Sequence, residues 1–117
     1  MNVFGQSDQE LSPKEVADRL SADPDLQIVD VREDYEHEAG HIVQARHIEL
    51  ERLASQADML DRDRPVIFHC RLGVRSAMAA QAFRAAGFEA FSMAGGLAAW
   101  VEAGLPIAPE GGYVAEH

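Results

Sequence analysis

Cys70 is the only cysteine in the chain, and it stands in the stretch FHCRLGVRS, Phe68 to Ser76, ahead of Arg71, Gly73 and Arg75. Cysteine acts as a nucleophile in its thiolate form, and a thiolate needs positive potential around it. A tight loop that opens a helix supplies that potential, because unpaired backbone N–H groups converge there and the helix dipole adds to them. Gly73 suits a position where the backbone turns sharply or takes a positive φ. Arg71 and Arg75 can add charge-assisted hydrogen bonds to an anionic group. The same residues also have a structural reading. A free cysteine is often a small buried hydrophobe. Arg71 can be a solvated side chain with its stem on apolar surface, and Arg75 can pair with a carboxylate such as Asp30. A glycine and two arginines in one strand-to-helix loop favour the nucleophile.

The flanking pattern predicts the elements that would hold this loop. Val66 to Cys70 reads as a buried strand, and the run from Ser76 to Gly87 as a helix ended by glycine. Upstream, Ser12 to Glu15 forms a capping box with proline at the first helical position, predicting a helix to about Leu20. Leu26 to Val31 reads as a second buried strand. Residues 33–42 are polar and irregular, with room for one or two helical turns. Ala45 to Ile48 reads as a short strand. Leu50, Leu53, Ala57 and Leu60 keep helical spacing. Phe88 to Met93 reads as a strand, and a last helix follows Gly96 and ends at Gly104. The remaining residues read as loop and tail. Strands alternating with helices, without strict polar alternation in the strands, predict an α/β domain on a mainly parallel sheet. Ligands in such sheets sit at the carboxyl ends of strands, where Cys70 falls.

Composition narrows the partners. The chain has 117 residues, 47% of them apolar, enough for one domain with its own core. One cysteine makes no internal disulfide, and no long apolar run or leader pattern is visible, so a cytoplasmic protein is expected. A net charge of −10 argues against nucleic acid and anionic membrane surfaces as partners. An anionic small substrate would need local positive charge, which the Cys70 loop offers.

Four segments in order resemble the rhodanese-like sulfurtransferases. CRLGVRS resembles that family's active-site loop, Cys-x-x-Gly-x-Arg. IVDVRE, Ile28 to Glu33, is similar to its strand ending in Asp-x-Arg. YEHEAGHI, Tyr35 to Ile42, resembles its Glu-x-x-x-Gly-His-Ile segment. AGGLAAWVEAGLPI, Ala94 to Ile107, resembles its Gly-Gly-x-x-x-Trp segment followed by Gly-Leu-Pro. The sequence departs from the pattern at Gln44, where the family often has glycine, and at Glu49, where it often has proline. The resemblance implies a single rhodanese-like domain over residues 11–107, with a central, mainly parallel five-stranded sheet flanked by helices. Residues 1–10 would form a short N-terminal segment and 108–117 a C-terminal tail. It implies that Cys70 carries the transferred sulfur, and that Arg71, Leu72, Gly73, Val74, Arg75 and Ser76 bind the substrate. Asp30, Arg32 and His41 would support the loop, with Gly95, Gly96 and Trp100 structural.

The implied chemistry is ping-pong transfer of a sulfane sulfur, from thiosulfate or a related persulfide donor to a thiol or cyanide, through a Cys70 persulfide. No cofactor or metal is required. The implied partners are a small anionic donor and a thiol acceptor, with a sulfur-relay protein as an alternative. Three rivals stand beside this reading. A phosphatase or arsenate reductase on the same fold would need five residues between cysteine and arginine, and Ser76 occupies that arginine's place. His37-Glu38-Ala39-Gly40-His41 matches the zinc-protease pattern, which requires both histidines on one helix face. His41 reads better as a structural hydrogen-bonding residue, His37 as exposed, and His47 and His69 as strand residues. A non-catalytic binding module would be expected to lack the cysteine or the loop.

Overall fold

The structure is a computed structural model that describes residues 9–117; residues 1–8 of the expected N-terminal segment lie outside it. Five strands make one sheet: β1 (Glu10–Leu11), β2 (Gln27–Asp30), β3 (Arg46–His47), β4 (Val66–His69) and β5 (Ala90–Met93). Their order is β1-β5-β4-β2-β3, and every pairing is parallel. Four helices flank the sheet: α1 (Pro13–Ala22), α2 (Asp34–Ala39), α3 (Val74–Ala85) and α4 (Gly96–Glu102). No helix among the described residues is long and apolar enough to cross a membrane.

Parallel strands covered on both faces bury successive side chains on opposite sides. Val29, Val31, Val66, Phe68 and Cys70 pack with Ala79, Ala80 and Phe83 of α3. Ile28 and Ile67, one residue out of phase, pack with Val16, Leu97 and Trp100 of α1 and α4. The same alternation sends Asp30 and His69 to the second face, paired across β2 and β4. β2 leads outward to β3, whereas β4 leads the other way to β5. The crevice between their carboxyl ends is therefore the switch point where open α/β sheets bind ligands.

The capping box of α1 forms as expected: Glu15 N donates to Ser12 Oγ at 3.1 Å and Ser12 N to Glu15 Oε1 at 2.9 Å. Elsewhere the structure departs from expectation. Leu50 to Leu60 is not one helix but two turns of 3₁₀ helix, Leu50–Arg52 and Ala57–Met59. Gln56 interrupts them at φ −112° and ψ 14°, yet Leu53 and Leu60 still reach the α3-side core. The apolar spacing is met by two tight turns packed on one cluster. β1, absent from the sequence reading, is held by its pairing with β5.

A buried charge cluster closes the carboxyl end of β2. Asp30 and Arg32 are both fully buried. Arg32 Nε donates to Asp30 Oδ1 at 2.9 Å, and Nη2 donates to Asp30 Oδ2 and Gly40 O at 2.7 Å each. Asp30 is not the carboxylate that pairs with Arg75, because Arg32 already takes both of its oxygens. Burial by itself would push the Asp30 carboxyl up. The neighbouring His69, the His37 hydrogen bond and the Arg32 guanidinium outweigh it and hold Asp30 well below the usual carboxylate range. His37 Nδ1 lies 2.8 Å from Asp30 Oδ2, so His37 is mostly buried rather than exposed. Its ring stacks between those of His41 and His47, at centroid distances of 4.1 and 4.4 Å.

Asp30→Asn leaves the Arg32 charge buried without its partner and is expected to cost about 3–5 kcal/mol near neutral pH, read by urea unfolding. The folded carboxyl titrates far below its unfolded value near 3.9. Its contribution is therefore fully present above about pH 4 and is lost as pH falls further. The gap between wild type and variant should narrow in acid; a gap independent of pH would contradict the ionised pair.

Candidate active site

The loop leaves β4 at His69 and enters α3 at Val74, two residues earlier than the sequence pattern suggests. The residue before the helix is Gly73, at φ 108°, a conformation that side chains resist. It brings no side-chain cap, so the first amides of α3 remain available. The Cys70 sulfur takes them. Gly73 N donates to Sγ at 3.1 Å and Ser76 N at 3.4 Å, with Ser76 Oγ 3.5 Å away. The thiol thus stands where a capping oxygen would stand in an ordinary helix.

Burial would raise the Cys70 pKa. The Ser76 hydroxyl and the backbone N–H groups of Ser76, Gly73 and Leu72 outweigh burial and lower the thiol below its ordinary value. Ser76 Oγ is also 2.8 Å from Ser92 Oγ, a buried hydroxyl on β5. The sequence pattern of β5 carries no sign of that role.

The loop is held from behind by α4. Leu97 N donates to Cys70 O at 2.8 Å and Ala98 N to Arg71 O at 3.1 Å. This approach needs glycine at 96, because a Cβ there would collide with Arg71 O and lie 2.6 Å from Cys70 O. Anchoring the Arg71 carbonyl outward turns the Leu72 amide of the same peptide toward the sulfur.

Arg75 lies in the first turn of α3. Its Nη1 and Nη2 donate to Glu36 Oε1 and Oε2 at 2.8 and 3.0 Å. Glu36 is fully buried; burial would raise its carboxyl, and Arg75 and the Glu33 amide lower it. Arg75 is therefore neutralised, by Glu36 and not by Asp30. Glu36 lies within the Glu-x-x-x-Gly-His-Ile segment, which was its only sequence signal. Arg71 forms no ion pair among the described residues, and its Nε is buried without a hydrogen-bond partner.

Cys70, Arg71, Leu72, Val74 and Arg75 line one open cleft of about 250 Å³, with His117 on its wall. Gly73 and Ser76 contact the sulfur itself. Asp30, Arg32 and His41 do not reach the cleft. They stand behind it, in the charge cluster and histidine stack beside His69, whose N–H-paired strand position precedes Cys70. A cavity of about 260 Å³ at the opposite end of β2, lined by Pro24, Gln44 and Arg64, has no cysteine, serine or histidine in its lining.

Two groups resemble metal sites. The His-Glu-x-x-His run does not form a helical pair, because α2 ends at Ala39 and Gly40 is extended. One ring nitrogen of His37 faces Asp30, and one of His41 faces His37 O. Glu33, Glu36 and His117 place ligand atoms within 4.8 Å of one another. There Arg75 occupies both Glu36 oxygens, so the group reads as an ion-pair network.

The family profile described as "Rhodanese-like domain" matches residues 12–103. A putative sulfurtransferase of Bacillus subtilis, YtwF, is 35% identical over 92 residues, covering 79% of this chain and 89% of that protein. The thiosulfate sulfurtransferase GlpE of Coxiella burnetii is 34% identical over 77 residues, covering 65% of this chain and 72% of that protein. A rhodanese-like domain protein of Staphylococcus aureus superposes with a TM-score of 0.76 at 27% identity, covering 92% of this chain and 99% of its own. The order of the strands, the cysteine loop and these likenesses agree: the chain belongs to the rhodanese-like domain family, among sulfurtransferase relatives.

Proposed function

We propose that the protein is a sulfurtransferase of the thiosulfate type, working through a persulfide on Cys70. The observation that carries this reading is the Cys70 sulfur capping α3, with the Gly73 and Ser76 amides directed at it. A thiolate formed there needs no separate base. Thiosulfate would dock its sulfonate end at Arg71, the cleft cation without a carboxylate partner. The Cys70 thiolate attacks the outer sulfur; the sulfur–sulfur bond of the donor breaks, and sulfite leaves with its electron pair. The same amides then face an anionic persulfide, held as a preorganised oxyanion hole holds its charge. A thiolate acceptor takes the outer sulfur and returns Cys70 to its starting state. The name of the GlpE relative supports thiosulfate as donor.

A sulfur relay to another protein is the second reading. Leu72 and Val74, which line the cleft, and Met78, one turn further along α3, are all more than half exposed, an apolar rim suited to a larger acceptor. A phosphatase reading fits less well: only four residues separate Cys70 from Arg75, and Glu36 already neutralises that arginine. Residues 11–107 would form the rhodanese-like domain, in which Cys70 is catalytic and the loop binds substrate.

The reduced protein should gain one sulfur atom on brief exposure to thiosulfate, lose it to cyanide, and gain none as Cys70→Ser, all by intact mass. Sulfur gained by folded Cys70→Ser would sink the proposal. Ser76→Ala removes the hydroxyl that lowers the thiol, so alkylation of Cys70 by iodoacetamide should need a higher pH than in wild type. An unchanged pH profile would remove Ser76 from thiolate stabilisation. Arg71→Ala should weaken loading from thiosulfate about tenfold more than loading from a neutral persulfide donor; equal losses would contradict its steering role.

A further inference from the structure

The segment from Pro106 onward contains no helix or regular strand, yet it is fastened along its course. Ala108 and His41 exchange backbone hydrogen bonds of 2.8 Å in both directions. Tyr113 N donates to Ala39 O at 2.9 Å and passes so close to Gly40 that a Cβ there would lie 2.9 Å from Tyr113 N. Val114 packs on the α1–α4 core, and Ala115 is buried. Tyr35 Oη donates to Glu116 O at 3.0 Å. These fastenings carry His117 to the wall of the Cys70 cleft, where its Nε2 lies 2.9 Å from Glu33 Oε2.

We propose that His117 is the general base of the acceptor half-reaction, oriented by Glu33, and that the acceptor is a thiol arriving protonated. The inference rests on the sulfurtransferase reading above. The two half-reactions have different proton requirements. Thiosulfate arrives as an anion and meets a thiolate, so loading needs no base. An ordinary thiol, with a pKa near 8.5, is mostly protonated at neutral pH and must lose its proton before it attacks. The cleft is lined by Cys70, Arg71, Leu72, Val74, Arg75 and His117. Arginine cannot accept a proton, and Cys70 carries the sulfur at this stage, so the imidazole is the one proton acceptor in that wall.

Glu33 sets the tautomer. A carboxylate accepts but does not donate, so Nε2 carries the hydrogen in the neutral ring and Nδ1 keeps the lone pair. Nδ1 takes the proton of the acceptor thiol. The resulting thiolate bonds to the outer sulfur of the Cys70 persulfide; the bond between that sulfur and Cys70 breaks, and its electron pair returns to Cys70 as thiolate. The proton on Nδ1 passes to the departing persulfide or to water.

The test separates the half-reactions in the full chain. Protein is loaded with thiosulfate, freed of donor, and discharged with free cysteine across the pH range, with intact mass reading the sulfur. His117→Gln should discharge about tenfold more slowly near neutral pH relative to its own loading rate, the deficit vanishing above about pH 9, where the thiol ionises unaided. Glu33→Gln should show a smaller deficit with the same pH dependence. Discharge at the wild-type rate at every pH would overturn the proposal. So would a deficit shared with loading or independent of pH, which would mark the segment as a structural prop. Failure of wild type to load would overturn the underlying sulfurtransferase reading, and the base with it, and is visible before any discharge is measured.

Discussion

Everything at the site depends on which way a few peptide groups face. A peptide presents its carbonyl and its N–H in opposite directions, so fixing one fixes the other. The first amides of α4 grip the carbonyls of Cys70 and Arg71 from outside the loop. The Leu72 amide, in the same peptide as the gripped Arg71 carbonyl, is thereby left facing the Cys70 sulfur, and together with the Gly73 and Ser76 amides and the Ser76 hydroxyl it outweighs burial. Because Gly96 lacks a side chain, the two backbones come close enough for that grip. The environment of the Cys70 sulfur is thus built largely from main chain, which is less mobile than long charged side chains.

The ionic groups hold this backbone in place. Arg32 ties Asp30, at the end of β2, to the carbonyl of Gly40 beyond α2. Arg75 ties Glu36 of α2 to the first turn of α3. α2 is therefore pinned on both sides, although it has only six residues and little intrinsic stability. Two of the three arginines around the sheet's carboxyl end are committed to carboxylates, which leaves Arg71 as the cation facing the cleft. An acidic protein can in this way keep a small anion-attracting spot without a basic surface.

The fold and the cysteine loop were largely legible in the sequence, since both rest on local rules. Buried parallel strands show as uninterrupted apolar runs, and a sulfur-binding loop shows as cysteine and glycine at fixed spacing. What escaped depends on distant partners. Glu10 and Leu11 become a strand only because β5 offers an edge. Arg75 pairs with Glu36 instead of Asp30 because Arg32 is nearer and already bidentate. The helix starts at Val74 because the cysteine sulfur, not a serine or aspartate, caps it. Ser92 reads as an ordinary strand residue, and only the packing of β5 against α3 brings its hydroxyl to Ser76. His117 belongs to no motif; its position follows from main-chain hydrogen bonds with Ala39 and His41 that no pattern announces.

Trp100 is the only tryptophan in the chain. It is buried on α4, with its Nε1 bonded to Pro106 O at 2.8 Å. The helix that carries it is the one whose first amides hold the Cys70 carbonyl, and the carbonyl it binds opens the segment leading to His117. A single indole thus sits at the junction of the two structures that frame the cleft. Intrinsic fluorescence excited at the indole band therefore comes from this junction alone, and the protein carries a built-in, label-free optical reporter of the frame around the Cys70 cleft.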